Sequence, residues 1–156
     1  MWNKMRALAG LDVRTLLLFI ESFLYLGWAR FQLVYRPFAR ISPSLGSYML
    51  ETESGLPIPA HHRRSLLHIR SAIHIMSKYT LWESKCLVRA IAAMKMLERR
   101  RIESTLYLGT AKDEHGNMIA HAWLRSGSFY VTGAEEMHRF TITGTFGNRS
   151  SLRNGK

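Results

Sequence analysis

The sequence predicts an α+β fold, with helices first and an antiparallel sheet after them. Two observations carry this. Apolar residues recur at helical spacing in three separate stretches before about residue 101. Beyond that point they fall into short runs bounded by polar or glycine-bearing turns, the patterning of strands. The size and composition fit one packed unit. The chain has 156 residues, 47% hydrophobic and 21% charged, enough for one substantial core and short for two. A single domain is expected over 1–147. It comprises an N-terminal helical extension at 1–40, a helical part at 62–101 and a sheet at 103–146, with a flexible basic tail at 148–156.

The first stretch imitates a targeting signal, because Lys4, Arg6 and Arg14 precede the run Leu16-Leu17-Leu18-Phe19-Ile20. No clean small-residue cleavage site follows. Glu21, Ser22, Arg30 and Gln32 interrupt the apolar run, short of the roughly 20 uninterrupted residues that span a bilayer. Leu17, Ile20, Leu24 and Trp28 share one helical face, so the segment reads as an amphipathic helix. Packing of that face on the domain is favoured over contact with a membrane surface. Arg36-Pro37 ends the helix, since proline disfavours helical geometry in the residue before it. Residues 41–60 hold Pro43, Gly46, Gly55, Pro57 and Pro59, and read as a long connection.

A second helix is expected from about His62 to Lys78, with Leu66, Ile69, Ile73 and Met76 on its inner face. After the break at Leu81-Trp82-Glu83, a third begins near Cys86 and runs to about Arg101. Its stripe is Leu87, Ala90, Ile91, Met94 and Leu97, and Ser84 is the expected N-terminal cap. Strands are expected at Thr105–Gly109, Ile119–Leu124 and Phe129–Thr132, with a turn at Ser126-Gly127-Ser128 and a further strand near Phe140–Thr143.

Cys86 is the lone cysteine, so no internal disulfide forms and a reducing cytoplasm fits best. The excess of 22 Lys and Arg over 11 Asp and Glu, +11, favours an acidic partner. Nucleic acid is not favoured, because the basic run from Arg63 to Arg101 lacks binding motifs and interleaved aromatics. The histidines other than His121 show no tight metal-ligand spacing, and neither metal nor cofactor is expected. A thiol in the first turn of a helix sits where the positive end of the helix dipole favours a thiolate. His121, on the strand Ile119 to Leu124, supplies the base that nucleophilic cysteine chemistry requires. The other reading is a non-catalytic basic module, binding peptide, membrane or nucleic acid, in which Cys86 is merely buried.

Helices carrying a nucleophile, followed by a sheet carrying the base, resemble papain-type and transglutaminase-type enzymes. More narrowly, Cys86-Leu87, the helix end Leu97-Glu98-Arg99-Arg100-Arg101-Ile102, the strand Leu106-Tyr107-Leu108-Gly109 and Ala120-His121-Ala122-Trp123 resemble the transglutaminase-like leader peptidases of lasso-peptide biosynthesis. Leu24 to Arg40, ending in Tyr35-Arg36-Pro37-Phe38, is also similar to that family, and Cys86 and His121 stand 121 − 86 = 35 positions apart. The resemblance implies a cysteine peptidase that frees a ribosomally made precursor of its leader, a leader whose penultimate residue is commonly threonine. Its implied partners are the precursor leader, a separate small leader-recognition protein for which this chain has no room, and an ATP-using cyclase.

The family commonly places an aspartate about a dozen residues after the histidine, to orient the ring. Here the neighbourhood is Val131-Thr132-Gly133-Ala134-Glu135-Glu136, so the third member is open between Glu135, Thr132 and a backbone carbonyl. The amide of Cys86 is the expected oxyanion donor, with a second from Leu81-Trp82-Glu83. Trp82 and Trp123 are candidates for lining the substrate groove or for the core. Arg63, Arg64, Arg70, Arg89, Lys95, Arg99 and Arg100 are candidates for docking an acidic partner.

Overall fold

The computed structural model describes residues 10–149. The opening of the expected N-terminal extension, residues 1–9, and most of the expected basic tail, residues 150–156, lie outside the described residues. Four helices precede most of the sheet: α1 (Val13–Tyr35), the single turn α2 (Phe38–Ile41), α3 (Ala60–Met76) and α4 (Cys86–Arg99). The strands are β1 (Ser47–Tyr48), β2 (Ser104–Lys112), β3 (Met118–Ser126), β4 (Phe129–Thr132) and β5 (Thr141–Asn148). The sheet has the order β1-β5-β2-β3-β4 and every pairing is antiparallel. The arrangement is α+β, as expected from the two periodicities.

α4 is the axis of the core. Val88, Ala90 to Met94, Met96 and Leu97 are all buried, well beyond the single stripe its periodicity suggests. The cause is enclosure: α1 and α3 cover one side while β2, β3 and β4 cover the other, which widens the buried arc beyond a single stripe. Its small residues Ala90, Ala92 and Ala93 let these layers approach closely. From α3, Leu66, Ile69, Ala72 and Ile73 point inward.

α1 departs from expectation. Its buried residues are Ser22, Leu26 and Ala29. Leu17, Ile20, Leu24 and Trp28, expected to pack on the domain, instead face outward at 59%, 49%, 64% and 37% exposure. The helix is apolar on two faces, and the inner one carries the smaller residues that fit against α4. A bidentate pair fixes it there: Arg100 donates to both oxygens of Glu21 at 2.8 and 2.7 Å, and to the carbonyl of Met96 at 2.9 Å. This hydrogen bonding to Glu21 holds the Arg100 guanidinium above its usual range.

The sheet contains one strand the sequence did not signal. β1 is two residues long within the Pro- and Gly-rich connection, too short for any periodicity, and pairs Ser47 with Gly147 and Tyr48 with Phe146. β5 extends to Asn148, past the expected end at Thr143, because it pairs with β2 along its length. Gly127 (φ 55°) and Ser128 form the two-residue turn between β3 and β4, where glycine removes the steric penalty of a positive φ.

Candidate active site

Cys86 occupies the first position of α4. Lys85, not Ser84, is the residue at the N-cap, and it gives no side-chain cap. The Ser84 hydroxyl is engaged elsewhere, 2.9 Å from that of Thr80, while the Ser84 carbonyl accepts Arg89 Nε at 2.8 Å. The first backbone bond of α4 runs from the Arg89 amide to the Lys85 carbonyl. The amides of Cys86, Leu87 and Val88 therefore have no acceptor within the helix. An uncapped helix start presents donors and a positive dipole end to whatever lies before it.

What lies before it is a cavity of about 720 Å³. Cys86 and His121 both line it, together with Arg70, His74, Lys85 and Arg89 on the helical side and Thr132, Gly133 and Glu135 at and beyond the end of β4. His121 reaches it because β3 alternates: Ala122 and Leu124 enter the core with α4, while His121 and Trp123 take the other side of the strand. Among the described residues no hydrogen bond joins Cys86 to His121; the two share the cavity wall.

The ring of His121 is held on three sides of its chemistry. Nε2 lies 2.8 Å from the carbonyl oxygen of Gly133. A carbonyl can only accept, so Nε2 carries the proton and the neutral ring keeps its lone pair on Nδ1. Trp123 and Phe140 stack against the imidazole at centroid distances of 5.9 and 5.0 Å. Opposite His121 on β2 stands Gly109, where a Cβ would come within 2.9 Å of both Trp123 and Phe140. Gly133 has φ +74°, and a Cβ there would meet the Ala122 carbonyl at 2.5 Å. Only glycine fits this turn, and the turn aims the carbonyl at the ring.

The candidate third members separate. Glu135 borders the cavity, but its side chain is 74% exposed and faces Arg70 at 4.0 Å, with no hydrogen bond to His121. The buried Oγ1 of Thr132 has no hydrogen-bond partner among the described residues, so it does not hold the ring either. The carbonyl of Gly133 makes that contact. The residue types around it gave no way to choose this oxygen, since any backbone carbonyl looks alike in sequence. Phe140 was likewise invisible as a site residue, because it arrives from the turn just before β5, 19 positions (140 − 121) beyond the histidine.

The tryptophans do not line the cavity. Trp82 packs on α1, with its ring 5.0 Å from that of Phe23 and against Gly27, where a Cβ would meet it at 3.1 Å. Trp123 is buried and stacks on Tyr107 at 5.5 Å as well as on His121. Leu81, Trp82 and Glu83 are not among the residues that line the cavity. The expected basic docking face is also divided. Lys95 pairs with Glu98, Arg99 and Arg100 pair with Glu21, and Arg70 and Arg89 border the cavity.

The transglutaminase-like superfamily model matches residues 32–145, from the end of α1 into β5. No curated protein matches the chain, and no solved structure does.

Proposed function

The chain belongs to the transglutaminase-like superfamily, whose members include cysteine proteases and transferases, and from this we propose that it is a cysteine peptidase with Cys86 as nucleophile and His121 as base. The observation that carries the reading is the sharing of one cavity by the first residue of α4 and a histidine whose Nε2 is tied to the Gly133 carbonyl. That tie leaves Nδ1 as the proton acceptor.

The chemistry follows from these roles. Nδ1 of His121 takes the thiol proton, and Cys86 Sγ attacks the scissile carbonyl carbon to give a tetrahedral oxyanion. The amide of Cys86, free of any helix acceptor, donates to that oxygen. Collapse breaks the C–N bond, the His121 proton goes to the departing amine, and the leader side remains on sulfur as a thioester. His121 then takes a proton from water, the hydroxide attacks the thioester, and the thiol is regenerated. The imidazolium that forms midway is stabilised by the Gly133 carbonyl, which does for the ring what a carboxylate does in a full triad. Trp123 and Phe140 restrict its tilt. Glu135 has no part in this scheme.

The finer reading is leader removal from a lasso-peptide precursor in the cytoplasm, and it rests on the resemblance of the Cys86, Leu106–Gly109 and Ala120–Trp123 segments. A cavity of this volume contacts only a few residues around the scissile bond. Selection of one leader therefore calls for a separate recognition protein that grips the distant part of the leader and raises the local concentration of the bond. Incubation with a candidate precursor, with and without its recognition protein and at two salt concentrations, tests this by mass spectrometry. The expected result is slow cleavage alone and salt-sensitive acceleration by the partner. Full-rate cleavage by the isolated chain, indifferent to partner and salt, would refute the partner model. Transfer of the acyl group to an amine instead of water would place the chain among the superfamily's transferases.

A further inference from the structure

Among the described residues, the outer face of α1 has no partner. Leu17, Ile20, Leu24, Trp28, Phe31 and Tyr35 are 37–72% exposed, and at 100° per residue they fall within one contiguous arc. Over 23 residues the helix is about 34 Å long, and no charged residue interrupts that arc. Scattered apolar residues on a surface are ordinary, but a continuous stripe of this length marks an interaction site. It lies apart from the catalytic cavity, with which it shares no residue. Most of it also precedes Gln32, where the superfamily match begins.

The surroundings of the stripe identify its occupant. Arg14, Arg36 and Arg40 are exposed and Arg30 half-buried, and none of the four pairs with a carboxylate among the described residues. The chain carries +11 overall, and against the one exposed acid at the start of α1, Asp12, these four arginines leave the edges of the apolar strip with an excess of positive charge. A second copy packed on this strip would set two such rims against each other. The chain's own segments outside the described residues have the same sign, with Lys4 and Arg6 at one end and Arg153 and Lys156 at the other. An apolar helix face edged by arginine and carrying Trp, Phe and Tyr suits an anionic lipid surface, with the rings at headgroup level.

We propose that α1 docks the protein flat on an anionic bilayer, with Leu17, Ile20, Leu24, Trp28 and Phe31 entering the acyl boundary and Arg14, Arg30, Arg36 and Arg40 against the headgroups. Although polar residues interrupt its apolar run, the 23-residue helix is by length and composition alone sufficient to cross a membrane. It lies in the plane because its other face is occupied: Ser22, Leu26 and Ala29 are buried, and Glu21 is held by Arg100. Spanning would expose those residues to lipid and break that pair.

Co-sedimentation of the full chain with vesicles tests this, using phosphatidylcholine alone and phosphatidylcholine with about one third phosphatidylglycerol. The expected partitioning is at least about tenfold stronger onto the anionic vesicles. Leu24→Glu and Trp28→Glu, both outward-facing and each checked for parental circular dichroism, should each lower it by about tenfold or more. Arg14→Gln with Arg36→Gln should reduce the preference for anionic vesicles while leaving the helix content unchanged. Absence of binding, equal binding to both vesicles, or unaltered binding of the glutamate variants would overturn the proposal. So would resistance to alkaline carbonate extraction, which indicates spanning, or a lipid-free dimer that Leu24→Glu dissociates. Loss of partner-dependent cleavage in the glutamate variants without any lipid binding would assign the stripe to a protein instead. None of these readouts depends on Cys86, so this proposal and the peptidase reading fail separately.

Discussion

The two ends of α4 are finished in opposite ways. At its C-terminus the carbonyls of Met96, Leu97 and Glu98 all find donors. The Ile102 amide bonds the Leu97 carbonyl and the Arg101 amide bonds the Glu98 carbonyl, each at 3.0 Å, which is the paired pattern of a Schellman ending. Ile102 is buried as Leu97 is, and Arg100 clamps Glu21 across to α1. At its N-terminus no side chain caps the helix, three amides lack acceptors within it, and a cavity opens in front. One helix thus has a sealed end that holds the fold and an open end that meets substrate in the proposed chemistry. Unsatisfied helix donors are tolerated where a ligand's charge is to be received.

Changes at the open end should be felt in turnover and not in folding. His121→Ala should lower leader cleavage by at least about a thousandfold with thermal stability close to parental, because it removes one member of a catalytic unit. A comparable loss of stability and activity together would erase the contrast between the ends. Changes at the sealed end should do the reverse. Glu21→Gln leaves the half-buried Arg100 guanidinium without its carboxylate and should destabilise the protein by roughly 2 kcal/mol in denaturant titrations, while kcat stays near parental.

The same end offers a smaller, stabilising test. Arg101 has φ 57°, a left-handed conformation at the position where Schellman endings favour glycine. Arg101→Gly should raise stability by roughly 0.5–1 kcal/mol. The smallest effect belongs to a residue on the cavity wall. Glu135→Gln should change turnover by less than about twofold, because the Gly133 carbonyl already orients the ring; a loss of one or more orders of magnitude would return the carboxylate to the mechanism.

What could be read from the sequence divides along similar lines. Cys86, His121 and the change from helical to strand patterning were visible because residue type and periodicity carry that information directly. The ring-orienting oxygen was not, since it belongs to the backbone of Gly133 and its aim depends on one positive φ. The cap was misassigned for a related reason: Ser84 is a good capping residue, but its hydroxyl is taken by Thr80. α1 misled in a different way. Both its faces are apolar, so periodicity could not tell which one packs, and the long-range Glu21–Arg100 pair that decides it joins residues 79 positions apart. β1 escaped because two residues have no period.

The central claim is that Cys86 carries the acyl group, and a single-turnover reaction tests it most directly. Protein, precursor and recognition protein are mixed, quenched in acid at intervals and read as intact masses. The account predicts a transient species heavier by the leader less one water, located at Cys86 and lost as free leader appears. Leader release at the parental rate by folded Cys86→Ala protein would contradict it.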